Sequence, residues 1–201
     1  MTAEAVIVKM THPSLPDWVF PPPGGFVAED LDHIPDLPAH TELIDGSLVF
    51  VSPQLSFHAH VVDLLLVALR QAAPEELRVR REMSVILDRS QRPEPDLMVI
   101  KAEAVGTLKD SCYKAEDVVL IVEVVSPEST VRDRHRKPQL YAEAGIPYFW
   151  RIEEHSEKAV IYVYELDPAT SSYSLTGIHH ECLKLSVPFD LVIDFAEIDR
   201  L

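Results

Sequence analysis

The chain lacks most features that would take it out of the ordinary soluble class. It has only two cysteines, Cys112 and Cys182. That excludes a disulfide framework and a CxxC metal knuckle, and both thiols read as bystanders in a reducing compartment. No apolar run approaches the ~20 residues needed to span a bilayer, so no membrane partner is expected. No basic stretch followed by an apolar one opens the sequence, so no secretory leader is read and the expected location is the cytoplasm. Internal repeats and low-complexity segments are missing too. Basic residues are scarce, 18 Lys and Arg against 33 Asp and Glu, for a net charge of −15. This balance excludes a protein that coats nucleic acid non-specifically, and any phosphate contact must come from a local basic cluster.

What remains is 201 residues, 47% hydrophobic and 25% charged, which is most simply one globular domain with a real core. Residues 1–25 hold prolines at 13, 16, 21, 22 and 23 followed by Gly24-Gly25, and read as an extended N-terminal arm. The domain is expected over 26–201.

The stretch Val118–Val125 carries Val, Ile or Leu at seven of eight positions, with Glu123 as the exception. A β-branched run, apolar on both parities, predicts a strand covered on both faces. An ionised carboxylate inside it protonates, pairs or binds a cation, because leaving it bare costs several kcal/mol or more.

Around this strand the pattern predicts a short helix near Phe26–Ile34 and a hairpin over Thr41–Val51 turning at Asp45-Gly46. A helix follows over Ser56–Ala73, with Val61, Val62, Leu65, Leu66 and Leu69 on one face and Ser56 as a candidate cap. Strands are predicted over Arg78–Leu87, Leu97–Ile100, Tyr148–Ile152, Ala159–Leu166, Tyr173–Ile178 and Leu191–Phe195. Residues 101–117 read as a polar connection. Thr130–Ala144 has helical character, with Pro138 either starting or kinking the helix and Gly145 ending it. This order gives an α/β or α+β sandwich around a mixed central sheet.

Asp96 opens one apolar strand and Glu123 lies near the end of the next. If the two strands are antiparallel neighbours, the carboxylates meet. Two acidic oxygens on rigid strands, with the main-chain carbonyl of Val124, suit Mg²⁺ (or Mn²⁺). Taken alone, Asp96 reads as a turn residue after Pro95. Glu42, just before the Asp-Gly turn, is a third acidic candidate whose face the pattern leaves undetermined. The basic cluster sits just downstream, at Arg132, Arg134, His135, Arg136 and Lys137. Such a run is usually a solvated helix face, but here it is the obvious dock for a phosphate backbone. Arg78 and Arg80 extend the basic surface. Lys137, if its segment folds back over the sheet, would orient and help deprotonate a water or stabilise charge on phosphorus. His58 and His60 do not face one ligand on a helix, and His179-His180-Glu181-Cys182 reads as an exposed loop.

Read in order, Pro95-Asp96, the strand end Glu123-Val124-Val125-Ser126-Pro127 and Lys137 to Tyr141 resemble the bacterial restriction endonucleases of the PD-(D/E)XK superfamily. The resemblance also takes in Glu42-Leu43-Ile44-Asp45-Gly46, His58 and Gly145-Ile146-Pro147-Tyr148-Phe149-Trp150, and covers roughly residues 26 to 165. It implies a restriction-endonuclease-like α/β fold, a mixed central sheet flanked by helices. It implies metal at the positions of Asp96 and Glu123, Mg²⁺-dependent hydrolysis of DNA phosphodiesters, a homodimer and no organic cofactor. The superfamily pattern has a lysine two residues after the glutamate, where this chain has Val125, and Lys137 is the matching position of a displaced lysine. Glu42 matches the early acidic position. His58, Arg132, Arg134 and Arg136 are the expected nucleic-acid contacts. The competing reading, favoured by the acidic surface and by Val125, is a catalytically inactive module binding nucleic acid or protein. Glycoside hydrolysis by paired carboxylates ranks last, since no aromatic sugar platform surrounds them.

Overall fold

The computed structural model describes residues 16–200; most of the expected N-terminal arm, residues 1–15, lies outside them. Short 3₁₀ turns at Asp17–Val19 and Ala28–Asp32 lead into the hairpin β1 (Thr41–Ile44) and β2 (Ser47–Phe50). Asp45 and Gly46 both take positive φ at its two-residue turn, as the Asp-Gly signal requires. Helix α1 (Ser56–Ala72) and strands β3 (Leu77–Arg81), β4 (Ser84–Ile86), β5 (Leu97–Lys101), β6 (Cys112–Lys114) and β7 (Val118–Val124) follow. A helical segment then runs into α2 (Lys137–Glu143), and β8 (Tyr148–His155), β9 (Lys158–Asp167), β10 (Ser172–His179), β11 (Cys182–Leu185) and β12 (Leu191–Asp194) complete the chain.

The central sheet has six strands in the order β10-β9-β8-β7-β5-β3. It is antiparallel except at β7–β8, where the crossover through α2 makes the pair parallel. This is the expected mixed sheet. Its two faces sort by residue parity. Leu97, Val99, Leu120, Val122, Trp150 and Ile161 pack against Val61, Val62, Leu65 and Leu69 of α1. Met98, Ile100, Ile121 and Phe149 pack on the other side with Tyr141 and Ile146. Each fully buried Leu or Val on the α1 face is worth about 1.5–3 kcal/mol, and that stripe, rather than a capping side chain, holds the helix. Ser56 is the first helical residue and Leu55 the cap position, so the expected Ser56 cap does not form.

Three further expectations change. The strand read over Arg78–Leu87 is two, because Glu82 adopts φ 50° and turns the chain out of the sheet. The polar connection over 101–117 contains β6, which pairs in parallel with β4 and buries Tyr113. Strand β11, absent from the sequence reading, pairs with β12 and sets Leu183 and Ile193 into the α1-side core.

A small satellite core of Phe26, Ala28 and Leu43 fixes the hairpin beside the sheet. Phe26 N donates to Gly46 O, and a Cβ on Gly25 (φ +82°) would come within 2.9 Å of that same oxygen. Leu43 and Arg92 exchange both backbone hydrogen bonds. The buried Arg92 guanidinium then donates to Ser84, to the Ala28 carbonyl and to Asp32. This ties β1 to the segment that delivers Asp96.

Candidate active site

The register of β5 and β7 brings the two predicted carboxylates together. Leu97 stands opposite Val122, so one further step sets Asp96 opposite Glu123. Asp96 closes the ladder with its side chain: Val124 N donates to its Oδ2 at 2.6 Å, and His58 Nε2, from the first turn of α1, lies 2.8 Å from its Oδ1. The chain thus uses Asp96 as more than a turn residue after Pro95.

Glu123 is 2% exposed and projects to the α2 side, like Ile121 two residues before it. Its Oε1 accepts from Tyr141 Oη at 2.6 Å and lies 3.1 Å from Lys137 Nζ. Lys137 is 4% exposed. Its ammonium also meets Glu42 Oε1 at 2.8 Å and Asp133 Oδ1 at 3.4 Å. Glu42 Oε1 further accepts from Glu94 N. The face of Glu42, undetermined in the sequence, is therefore inward.

The local backbone explains how Lys137 gets there. Residues Arg132–Arg136 form a π turn, closed by Lys137 N–H donating to Arg132 O, and α2 continues from it with Pro138 in its first turn. Pro138 has no N–H to give, and its ring would crowd the Arg134 carbonyl in a regular α turn. The wider turn relieves both. Asp133 and Lys137 then point to the sheet, and Arg134 and Arg136 are carried to opposite sides. Arg134 grips Glu153 of β8 through Nε and Nη2. Arg136 grips Asp45 in the β1–β2 turn, again with two donors. Two of the three arginines of the expected phosphate dock, Arg134 and Arg136, are held by carboxylates. Arg132 is not: its Nε is buried without a hydrogen-bond partner, and the residue lines the cleft above the carboxylates. Arg78 and Arg80 bond to backbone carbonyls and to Tyr113.

Charge states follow from this packing. Burial alone would strip the Lys137 proton, but Glu123, Glu42 and Asp133 outweigh it and hold the amine well above the usual lysine range. Burial pushes the Glu123 carboxyl well up; Lys137 opposes that, and Asp133, Asp96 and Glu42 add to it. Asp133 is raised for the same reason, burial first. Tyr141 stays a phenol because it is buried beside Glu123. Asp133 and Tyr141 went unread in the sequence. Their spacing, four residues to either side of Lys137, is the helical signal that would have found them.

The cleft over this cluster has a volume of about 510 Å³. Among the described residues no group of three or more His, Cys, Asp and Glu side chains forms a ready metal cage. The donor chemistry still fits a hard divalent cation. Three carboxylates, Glu42, Glu123 and Asp133, share one lysine, Asp96 lies beside them with its oxygens on His58 and Val124 N, and Glu42 Oε2 is buried with no partner. Mg²⁺ needs only one or two protein carboxylates and keeps its waters for substrate.

A mixed sheet flanked by α1 and α2, with carboxylates at the meeting ends of two neighbouring antiparallel strands, defines a restriction-endonuclease-like protein. The model of the Uma2 family, described as "putative restriction endonuclease", matches residues 28–196, and the chain belongs to that family. Among solved structures, a "putative nuclease belonging to DUF820" from Anabaena variabilis is similar at 13% identity. The alignment covers 86% of this chain and 97% of that one, with a TM-score of 0.60, and supports the fold. NucC of P. aeruginosa in its cAAA-bound form aligns over 65% of this chain and 85% of its own, at 11% identity and a TM-score of 0.32, too loosely to bear on the argument. No curated protein matches the sequence.

Proposed function

We propose that the protein is a Mg²⁺- or Mn²⁺-dependent endonuclease that hydrolyses DNA phosphodiester bonds. The observation that carries this is the convergence of Asp96, Glu123 and the Lys137 amine at the floor of one cleft. Asp96 and Glu123, with the Val124 carbonyl, are the residues that would hold the metal. When bound, it would polarise a phosphate oxygen and make water a better nucleophile. His58 and Val124 N–H fix the Asp96 carboxylate, and Tyr141 fixes Glu123. Lys137, protonated among its carboxylates, orients the attacking water and balances the negative charge that builds on phosphorus. Glu42 holds that ammonium in place. Arg132 is the phosphate contact at the cleft.

The absence of lysine at Val125 counts less once Lys137 Nζ stands 3.1 Å from Glu123, and this favours an enzyme over an inactive binding module. The family resemblance supports a homodimer, and two free cysteines, Cys112 and Cys182, suit a cytoplasmic setting.

The test is cleavage of plasmid DNA by purified protein with Mg²⁺, Mn²⁺ or EDTA, beside Asp96→Ala and Glu123→Gln. Cutting by the wild type only, and only with metal, is expected. Equal cutting by all three proteins would remove the assignment. Calorimetric titration with Mg²⁺ separates the binding module, which need show no stoichiometric site.

A further inference from the structure

The cleft is built poorly for holding a phosphate backbone. Seven of its lining residues are acidic, and the fixed cations are Arg132 and Lys137. Lys137 is buried among carboxylates, which leaves Arg132. The nearest other arginines of the π turn are clamped on Glu153 and Asp45. A duplex rigidly presents phosphates to its partner, and its binding is carried largely by cations.

The opposite wall has a different character. The run Val51–Leu55 between β2 and α1 has no regular structure and lines the cleft together with Phe50. Phe50 is 52% exposed and Leu55 58% exposed. The Trp18 ring stands beside Phe50 with centroids 6.0 Å apart, and Val19 and Phe20, next in the chain, are exposed as well. Exposed aromatic and aliphatic side chains contiguous with an active cleft mark a surface that takes apolar ligand faces. Unpaired bases offer such faces, and every base can stack on an aromatic ring.

We propose that the substrate is DNA with unpaired bases, a single strand or a frayed end, seated with a base against Phe50 and backed by Trp18, while one flanking phosphate meets Arg132. The proposal rests on the nuclease reading above and names the substrate class for the same site. It accounts for a net charge of −15 in a protein that must hold a polyanion: the bases supply the attraction that the backbone does not.

The test is binding of fluorescein-labelled oligonucleotides of one sequence, single-stranded and as duplex, followed by anisotropy in Ca²⁺, with cleavage in Mg²⁺ measured in parallel. The single strand is expected to bind tighter and to be cut faster. Its affinity should fall with salt at a log–log slope of about 0.7, the value for one neutralised phosphate of a single strand. Phe50→Ala is expected to weaken single-strand binding about 5- to 150-fold, the range for losing one stacked base, with Phe50→Trp restoring it. Phe50 is half exposed, so a circular dichroism melt should match the wild type. Duplex bound as tightly as single strand, or Phe50→Ala without effect on the single strand, overturns the proposal. So does a change from dimer to monomer in Phe50→Ala with binding unaltered, since the wall would then be a contact between copies of the chain. Absence of cleavage on both substrates, with binding still selective for the single strand, counts against the nuclease reading and leaves the substrate class supported.

Discussion

Replacing Lys137 by Met would test the physical heart of the site. Methionine keeps most of the side-chain volume, so the change isolates the charge. The ammonium lies 2.8 Å from Glu42, 3.1 Å from Glu123 and 3.4 Å from Asp133, and all four groups are buried. Removing one partner of a buried ion pair costs about 3–5 kcal/mol, because the remaining charge loses its compensation. For a chain of this size, that lowers Tm by roughly 6–20 °C. The penalty must also depend on pH. Glu123 and Asp133 already have folded-state pKa values above the usual carboxylate range, and Lys137 is what opposes the rise. Without it both move further up. A carboxyl whose folded pKa exceeds its unfolded one binds more protons in the folded state, so it destabilises at high pH and is relieved as pH falls through the folded pKa. Lys137 itself, raised above the usual lysine value, contributes a constant amount throughout the neutral and acidic range. The gap in Tm between wild type and Lys137→Met should therefore be widest near about pH 8 and narrow toward about pH 5, approaching the ordinary carboxylate range. Thermal melts across that range read it directly, and cleavage should be lost at every pH. A gap of the same size throughout, or none at the alkaline end, would refute the view that this lysine exists to hold three buried carboxylates.

Two smaller perturbations probe the supports of the cluster. Tyr141→Phe keeps the ring beside Phe149 but removes the donor at 2.6 Å from Glu123. It should cost about 1–3 kcal/mol and shift the acidic limb of the pH–rate profile upward, since Glu123 loses a hydrogen bond to its ionised form; an unmoved limb contradicts this. Arg134→Ala frees the π turn from β8. The Arg134 side chain is 40% exposed, and Arg151 remains 2.8 Å from Glu153, so the stability loss should stay near about 1 kcal/mol. The loss should appear instead in kcat, through a less firmly placed Lys137. A large drop in Tm with kcat intact would reverse that assignment.

Much of this molecule is local and therefore written in the chain. Asp45-Gly46 makes its hairpin because few other pairs tolerate that backbone. The α1 stripe from Val61 to Leu69 makes a helix and names its buried face. The apolar run around Glu123 makes a strand buried on both faces, and the ordered set from Glu42 to Trp150 marks the family. Other features depend on where distant segments stop. Cys182–Leu185 becomes a strand only because Leu191–Asp194 lies alongside, and Glu82 breaks a strand pattern by adopting a left-handed conformation that no alternation of side chains announces. The site divides the same way. That Glu123 needed a partner followed from its neighbours alone, since a carboxylate in apolar surroundings is costly wherever the sheet is placed. Which partner it took, Lys137 from a turn widened before Pro138, and which arginines that turn would spend on Glu153 and Asp45, depended on the crossover returning over the sheet. Charge pairing acts through space, over a few ångströms, between residues that the sequence keeps far apart.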